Sequence, residues 1–333
     1  MKRTIKYARA ASTRAQYANR WRWFSGWCND HGENPVCCPL PLVLEFLQSL
    51  QDKGLSPSTL RVYVAAISCH HVKVGGDTVG SHRLVTQFLK GARRLHPPRP
   101  PRVPSWDLDV VLDALCRPPF EPMARTDLKW LSYKTAFLLA ITSAKRVGEI
   151  HALSVSPSCL RWNSDESGVI LWPNTAFLPK VLSTAHLNQP IRLAQFVPRP
   201  EDTGRTSLLC PVRALRFYIK ATEHLRRSDQ LFVCHGHRNK GRALSTQRLS
   251  HWVTDAISHA YSISDRPVPS GIRCHSTRSV ATSWAALRGV PLRDICLAAS
   301  WASPSTFTRF YRVNVADPHP LDVVLRPESG PFL

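Results

Sequence analysis

Acidic residues are scarce in this chain of 333 residues, where 23 Asp and Glu stand against 44 Lys and Arg and leave a formal charge of +21. With so few carboxylates, no acidic trio of the kind that holds catalytic divalent metals stands out. Any apolar run near the ~18 residues of a membrane-spanning helix is also missing, and no signal peptide opens the chain, so a soluble, intracellular protein is expected. The 10 cysteines include no CxxC pair. A chain of this length has no need of disulfide staples, and reduced, mostly buried thiols are the expectation. The segment Cys234-His235-Gly236-His237 has no partner pair at zinc-ligand spacing, so no metal is expected there.

What is present is positive charge and enough apolar residue to fold. An excess of Lys and Arg on this scale favours a polyanionic partner, and nucleic acid fits better than an acidic small molecule. The 43% of hydrophobic residues can fill two cores at the usual ~150 residues per domain. The first hundred residues read as short helices. Tyr17, Trp21, Phe24 and Cys28 recur on one helical face, with Arg14, Arg20 and Arg22 off the stripe. Pro39 to Pro41 punctuate the chain before an apolar helical segment from Leu42 to Leu50. Ser56 before Pro57 reads as an N-cap and first-turn proline. Leu60, Val64 and Ile67 then share a face of a helix expected to end near Gly75-Gly76. The N-terminal unit is thus predicted to be a small basic helical bundle.

From His96 to Pro104 the chain runs His-Pro-Pro-Arg-Pro-Pro-Arg-Val-Pro, which sustains neither a helix nor an inner strand. A stiff, extended linker is expected, either crossing a nucleic-acid backbone or simply solvated. Beyond it, Val110 to Leu115 and Leu131 to Ile141 read as buried helices, and Val169 to Ile191 as short strands. Arg205 to His224 and Thr246 to Tyr261 read as helical again. A mostly helical second unit with a small sheet near its start is predicted.

Four local patterns in this second unit carry candidate chemistry: Arg146-Val-Gly-Glu149, Phe177-Leu-Pro-Lys180, His275-Ser-Thr-Arg278, and Trp301 followed by Tyr311. Each alone has an ordinary explanation. An arginine after a buried helix is commonly a solvated or capping charge, a lone lysine is commonly solvated, and His275 and Arg278 would share a helix face in any case. Tyr311 could simply pack with Phe307 and Phe310.

Together, in this order, they resemble the tyrosine recombinase family, the phage-integrase-like recombinases. Their catalytic domain carries an arginine, a hairpin lysine, an HxxR motif, a histidine or tryptophan, and a tyrosine. The run from Leu55-Ser56-Pro57-Ser58-Thr59-Leu60 to Ile67 resembles the family's DNA-clamping N-terminal domain, so the likeness spans nearly the whole chain. Ala176-Phe-Leu-Pro-Lys180, Leu209-Cys-Pro-Val-Arg-Ala-Leu215 and Ser300-Trp301 to Tyr311 look specifically like the recombinases of DIRS-type retrotransposons. Trp301 precedes Tyr311 by one residue more than is usual in the family, and the stretch between Lys180 and His275 is longer than in its compact members.

The resemblance implies a mainly α fold with a small β-sheet. A helical, SAM-like core-binding domain would occupy residues 1–95, a Pro/Arg-rich linker 96–104, a mixed α+β catalytic domain 105–315 and a tail 316–333. It also implies the chemistry. When a tyrosyl oxygen attacks a phosphodiester, charge builds on the nonbridging oxygens, and two guanidiniums bind them bidentately without a metal. That role would fall to Arg146 and Arg278. His275 and Trp301 would complete the cradle, with His275 moving the proton of Tyr311, since a phenol ionises only near ~10. Lys180 would protonate the departing 5′-oxygen, and Glu149 would buttress the arginines. The product would be a 3′-phosphotyrosyl link, needing no cofactor or divalent ion.

The implied partner is double-stranded DNA, bound by a homo-tetramer on two duplexes, in the service of mobile-element integration in the nucleus and with no membrane involved. Two alternatives stay open: a DNA-binding protein that keeps the fold without turnover, and a type IB topoisomerase.

Overall fold

The computed structural model describes residues 4, 7–97, 105–179, 182, 187, 189–196 and 204–313. It divides into two units, 1–100 and 101–333. Most of the expected linker and all of the expected tail lie outside the described residues, as does Lys180.

The first unit is built from α1 (Ala11–Asp30), α2 (Leu40–Asp52), α3 (Pro57–Ile67) and α4 (Arg83–Leu95). The stripe on α1 faces inward, with Phe24 and Cys28 buried and Tyr17 and Trp21 half-buried. Ser56 caps α3 as its sequence suggests: its Oγ accepts from the Thr59 amide at 3.3 Å, and Pro57 takes the first helical position, where an amide proton would have no partner. Leu60, Val64 and Ile67 are buried against Phe24, Phe46 and Leu47, and Phe46 meets Phe24 and Tyr63 edge-on at 5.2 and 5.6 Å. Expectation and structure part at the end of α3. The helix stops at Ile67, well short of Gly75-Gly76. Ser68 Oγ bonds back to the Val64 carbonyl, and the amides of His70 and His71 both turn onto the Ile67 carbonyl. The two glycines, at φ 60° and 88°, serve instead the small turn closed by the Val74–Asp77 bridge.

The second unit holds α5 (Leu108–Leu115), α6 (Leu128–Ser143), the short α7 (Val147–His151), β1 (Leu160–Trp162), β2 (Gly168–Leu171) and β3 (Ile191–Ala194). After them come α8 (Arg205–Leu208), α9 (Pro211–Thr222), α10 (Thr246–Ile263), α11 (His275–Leu287), α12 (Leu292–Ala298) and α13 (Pro304–Phe310). The strands form an antiparallel sheet in the order β1-β2-β3, with Ile191 and Leu193 buried and Arg192 outward, the alternation of a one-sided sheet. The helical stretch expected from Arg205 to His224 breaks at Leu209-Cys210, because Pro211 has no amide to continue a helix and starts α9 instead.

α6 is the central element. It is buried along most of its length and packs against α9 and α10. Two apolar clusters result. The larger gathers α5, α6, α9, α10 and the sheet, and a smaller one joins Ala144, Ile295, Cys296, Ala299, Trp301 and Phe307. All 10 thiols are free, six of them buried. His235 packs against Trp252 at 5.0 Å, and Cys234 Sγ donates to the Ala243 carbonyl. Among the described residues no helix is long and apolar enough to cross a membrane.

Inside the larger core lies an ionic triad. Lys134 on α6 is fully buried and gives its ammonium protons to Glu121 Oε1 at 2.6 Å and the Leu115 carbonyl at 2.7 Å, while Arg213 on α9 reaches the same Glu121 oxygen at 2.8 Å. Removing one partner of a buried pair strands the other charge, which costs more than the pair itself contributes. Glu121→Gln is therefore expected to lower stability by about 3–5 kcal/mol, read as a fall in the urea midpoint. Adding Lys134→Met to that variant should restore most of the loss, and an unchanged midpoint in Glu121→Gln would show that the triad is incidental.

Candidate active site

The residues singled out in the second unit emerge from helix ends. α6 ends at Ser143, and Ala144, at φ 51°, turns the chain sharply so that Lys145 and Arg146 precede α7. Arg146 sits at the N-cap of α7, and its amide donates to Glu149 Oε2 at 2.7 Å. His275 and Arg278 share the first turn of α11. A second sharp turn, Ser300 at φ 51°, follows α12 and leads into Trp301. Tyr311 caps the C-terminus of α13.

These ends converge. Arg278 is 1% exposed, and its Nη2 donates to the Ala299 carbonyl. The Glu149 carboxylate lies between the two guanidiniums, 3.6 Å from Arg146 Nη1 and 3.7 Å from Arg278 Nη1. The Arg278 guanidinium carbon stands 4.8 Å from the centre of the Trp301 ring and 5.1 Å from that of Tyr311, and those two rings are 4.6 Å apart. His275 Nε2 lies 3.1 Å from the Tyr311 hydroxyl, within hydrogen-bond reach. Burial, with Arg146 adding repulsion, pulls the Arg278 pKa down to about 10, which leaves it charged at neutral pH.

Three donors in this cluster make no hydrogen bond. Nε and Nη1 of Arg278 and Nε1 of Trp301 are buried without a hydrogen-bond partner. Buried donors are ordinarily satisfied, at a cost of about 1–3 kcal/mol when they are not. Two guanidiniums with one carboxylate between them, beside three unsatisfied donors, form a cradle suited to a small oxyanion. Among the described residues, no group of three or more His, Cys, Asp or Glu is placed to hold a metal ion.

Of the sequence-predicted site residues, Arg146, Glu149, His275, Arg278, Trp301 and Tyr311 are brought together; Lys180 lies outside the described residues. The extra residue between Trp301 and Tyr311 does not carry the indole away, since Trp301 contacts Tyr311 and Phe307 and is 7% exposed. Two residues escape sequence reasoning. Lys145, beside Arg146, is 7% exposed and donates to Ser300 Oγ. Ser283 on α11 donates to the Tyr311 carbonyl at 3.4 Å and accepts from the Val313 amide at 3.0 Å, pinning the tyrosine segment to its own chain. The only sequence signal for Lys145 is a lysine directly beyond an apolar helix. Ser283 has none.

No family model matches the sequence, and no curated protein does. Solved structures do match. The Tn1549 transposon integrase in complex with transposon right-end DNA has a TM-score of 0.60 at 13% identity, over 97% of this chain and 96% of that one. A lambda integrase tetramer bound to a Holliday junction gives 0.58 at 11% identity, over 95% and 76%. A lambda integrase dimer bound to a core site gives 0.56 at 12% identity, over 93% and 92%. At these identities the likeness is one of fold: the chain has the tyrosine recombinase fold, mainly helical with a small antiparallel sheet.

Ser283→Ala should free the Tyr311–Val313 segment without unfolding α11. Loss of a hydrogen bond worth about 1–1.5 kcal/mol predicts roughly tenfold faster amide exchange at Val313. Unchanged exchange would mean that packing alone fixes the tyrosine.

Proposed function

We propose that the chain is a site-specific DNA recombinase or integrase that breaks and rejoins strands through a 3′-phosphotyrosyl link at Tyr311. The observation that carries this reading is the pairing of His275 Nε2 with the Tyr311 hydroxyl at 3.1 Å, next to the unpartnered donors of Arg278 and Trp301. A nucleophile needs a base within reach and donors aimed where charge develops, and both are supplied by groups that the fold holds rigidly.

In this reading Arg146, Arg278 and Trp301 hold the nonbridging oxygens of the scissile phosphate. His275 takes the phenolic proton as Tyr311 attacks, and Lys180 protonates the leaving 5′-oxygen. Glu149 aligns both arginines and limits their mutual repulsion. The link conserves the phosphodiester bond energy until a 5′-hydroxyl from another strand reverses the step, so neither ATP nor a divalent ion is required.

DNA binding is supported by charge in both units. In the first, Arg61 of α3 and Lys90, Arg93 and Arg94 of α4 line an open basic concavity with Pro97. A tetramer on two duplexes is the assembly we propose, a reading supported by the lambda integrase tetramer bound to a Holliday junction. The motif resemblance in the sequence supports a mobile element of the DIRS type as the source and the nucleus as the place of action.

The deciding assay incubates the protein, without metal, with a nicked duplex carrying the element's terminal repeat. A covalent protein–DNA adduct is expected, and Tyr311→Phe should abolish it while leaving affinity unchanged. Tight binding without any adduct would favour a DNA-binding protein that has lost turnover; supercoil relaxation without strand exchange would favour a type IB topoisomerase.

Binding itself should weaken with salt, with log affinity falling against log salt by about 0.9 per phosphate contact. Replacing both Arg93 and Arg94 with Gln should flatten that slope by roughly two contacts' worth, measured by anisotropy across a salt series. A slope that does not change would remove this concavity from the DNA footprint.

A further inference from the structure

We propose that Lys145 is a second proton source of the site, giving a proton to the departing 5′-oxygen alongside Lys180. The inference rests on the strand-transfer reading above and assigns a part in it to a residue that no motif marks.

Two buried lysines of the second unit, Lys134 and Lys145, are held in opposite ways. Lys134 is neutralised by Glu121 at 2.6 Å, as a structural ammonium in a core must be. Lys145 is nearly as buried, yet among the described residues no carboxylate lies within ion-pair distance of it. Its hydrogen-bond partner is a neutral hydroxyl, Ser300 Oγ. The nearby carboxylate, Glu149, is already shared between Arg146 and Arg278. Lys145, Arg146 and Arg278 thus bring three positive charges against one negative charge. With Lys145 and Arg278 withdrawn from water, such an excess is unfavourable unless an anion joins it, and the reacting phosphate is such an anion.

Place adds to charge. Lys145, Glu149 and Ser300 are the charged and hydroxyl groups on the wall of a small cleft whose other sides include Phe177, Pro179, Gln189 and Ile191. Phe177 and Pro179 belong to the segment running directly into Lys180. Apolar walls keep the local dielectric low. Burial first, then the charges of Arg278 and Arg146, hold the Lys145 ammonium below the usual lysine range, against the opposing pull of Glu149. An ammonium so placed releases a proton more readily than a solvated one.

The step balances. As the Tyr311 Oη–P bond forms and the P–O5′ bond breaks, the phenolic proton passes to His275 and the single proton that O5′ takes up passes from Lys145 Nζ, with the charge of Lys180 assisting at the same oxygen. A 5′-hydroxyl and a neutral amine remain. In rejoining, the amine takes the proton of the attacking 5′-hydroxyl.

The test compares single-turnover cleavage of two nicked duplexes, one with the ordinary 5′-oxygen at the scissile position and one with sulfur in its place. A thiolate leaves without being protonated. Lys145→Met is expected to slow the oxygen substrate by on the order of a hundredfold and the sulfur substrate only a few-fold. Ser300→Ala, which removes the hydrogen-bond partner and keeps the ammonium, should retain the wild-type ratio between the substrates. Equal losses on both substrates in Lys145→Met, no loss on either, or a Ser300→Ala variant that copies Lys145→Met would each overturn the role and leave Lys145 as an anchor for the Ser300 turn. Failure of the wild type to form an adduct with either duplex would overturn the strand-transfer reading itself, and this role with it.

Discussion

Arg278 carries a full charge at 1% exposure, and the arrangement of the second unit's C-terminal part follows from how that charge is held. One guanidinium nitrogen grips the Ala299 carbonyl at the end of α12, another faces the Glu149 carboxylate, and the flat face of the group lies against the rings of Trp301 and Tyr311. Three segments, at Glu149, Ala299 to Trp301, and Tyr311, are thereby tied to a single side chain. Glu149 completes the arrangement by also holding the amide and the side chain of Arg146, so that one carboxylate orients two cations which would otherwise repel. The unsatisfied donors left at the centre are the residue of this economy: the fold has spent its acceptors on positioning.

The two buried cationic centres of the unit illustrate opposite uses of the same chemistry. Around Glu121 both cations, Lys134 and Arg213, are bonded to the one carboxylate, and the triad ties α6 to α9 as a closed structural unit. Around Glu149 a third cation, Lys145, has no carboxylate within ion-pair distance among the described residues, and it faces a cleft. A charge census separates scaffold from site here more clearly than burial does, because Lys134 and Lys145 are both withdrawn from water.

Much of this was legible in the sequence where the information is local. The Ser56-Pro57 cap, the inward stripe of α1 and the helical pairing of His275 with Arg278 follow from spacing and from the backbone needs of a helix end. The motif order along the chain placed six residues that the fold gathers into one cluster. What could not be read depends on partners far away. Lys145 looks like any solvated lysine until Ser300, 155 residues later, closes over it. Ser283 sits in a helix like many serines, and only the return of the chain at Tyr311 gives it a task. The end of α3 was misplaced because Gly75-Gly76 is the conspicuous breaker, whereas the side-chain and backbone bonds at Ser68 to His71 act earlier.

The corners at Ala144 and Ser300 have a further consequence. Both hold a left-handed backbone, φ 51°, with a residue other than glycine, a conformation that costs roughly 1–2 kcal/mol for an L side chain. One corner launches Lys145 and Arg146, the other launches Trp301, and a hydrogen bond from Lys145 to Ser300 joins them. Glycine would relax both turns, yet it would widen the range of angles from which those side chains project. Thermodynamic stability and rigidity of the cluster therefore pull in opposite directions at the same two residues, which makes them the positions where a more heat-resistant form of this chain would trade away the alignment of its cations.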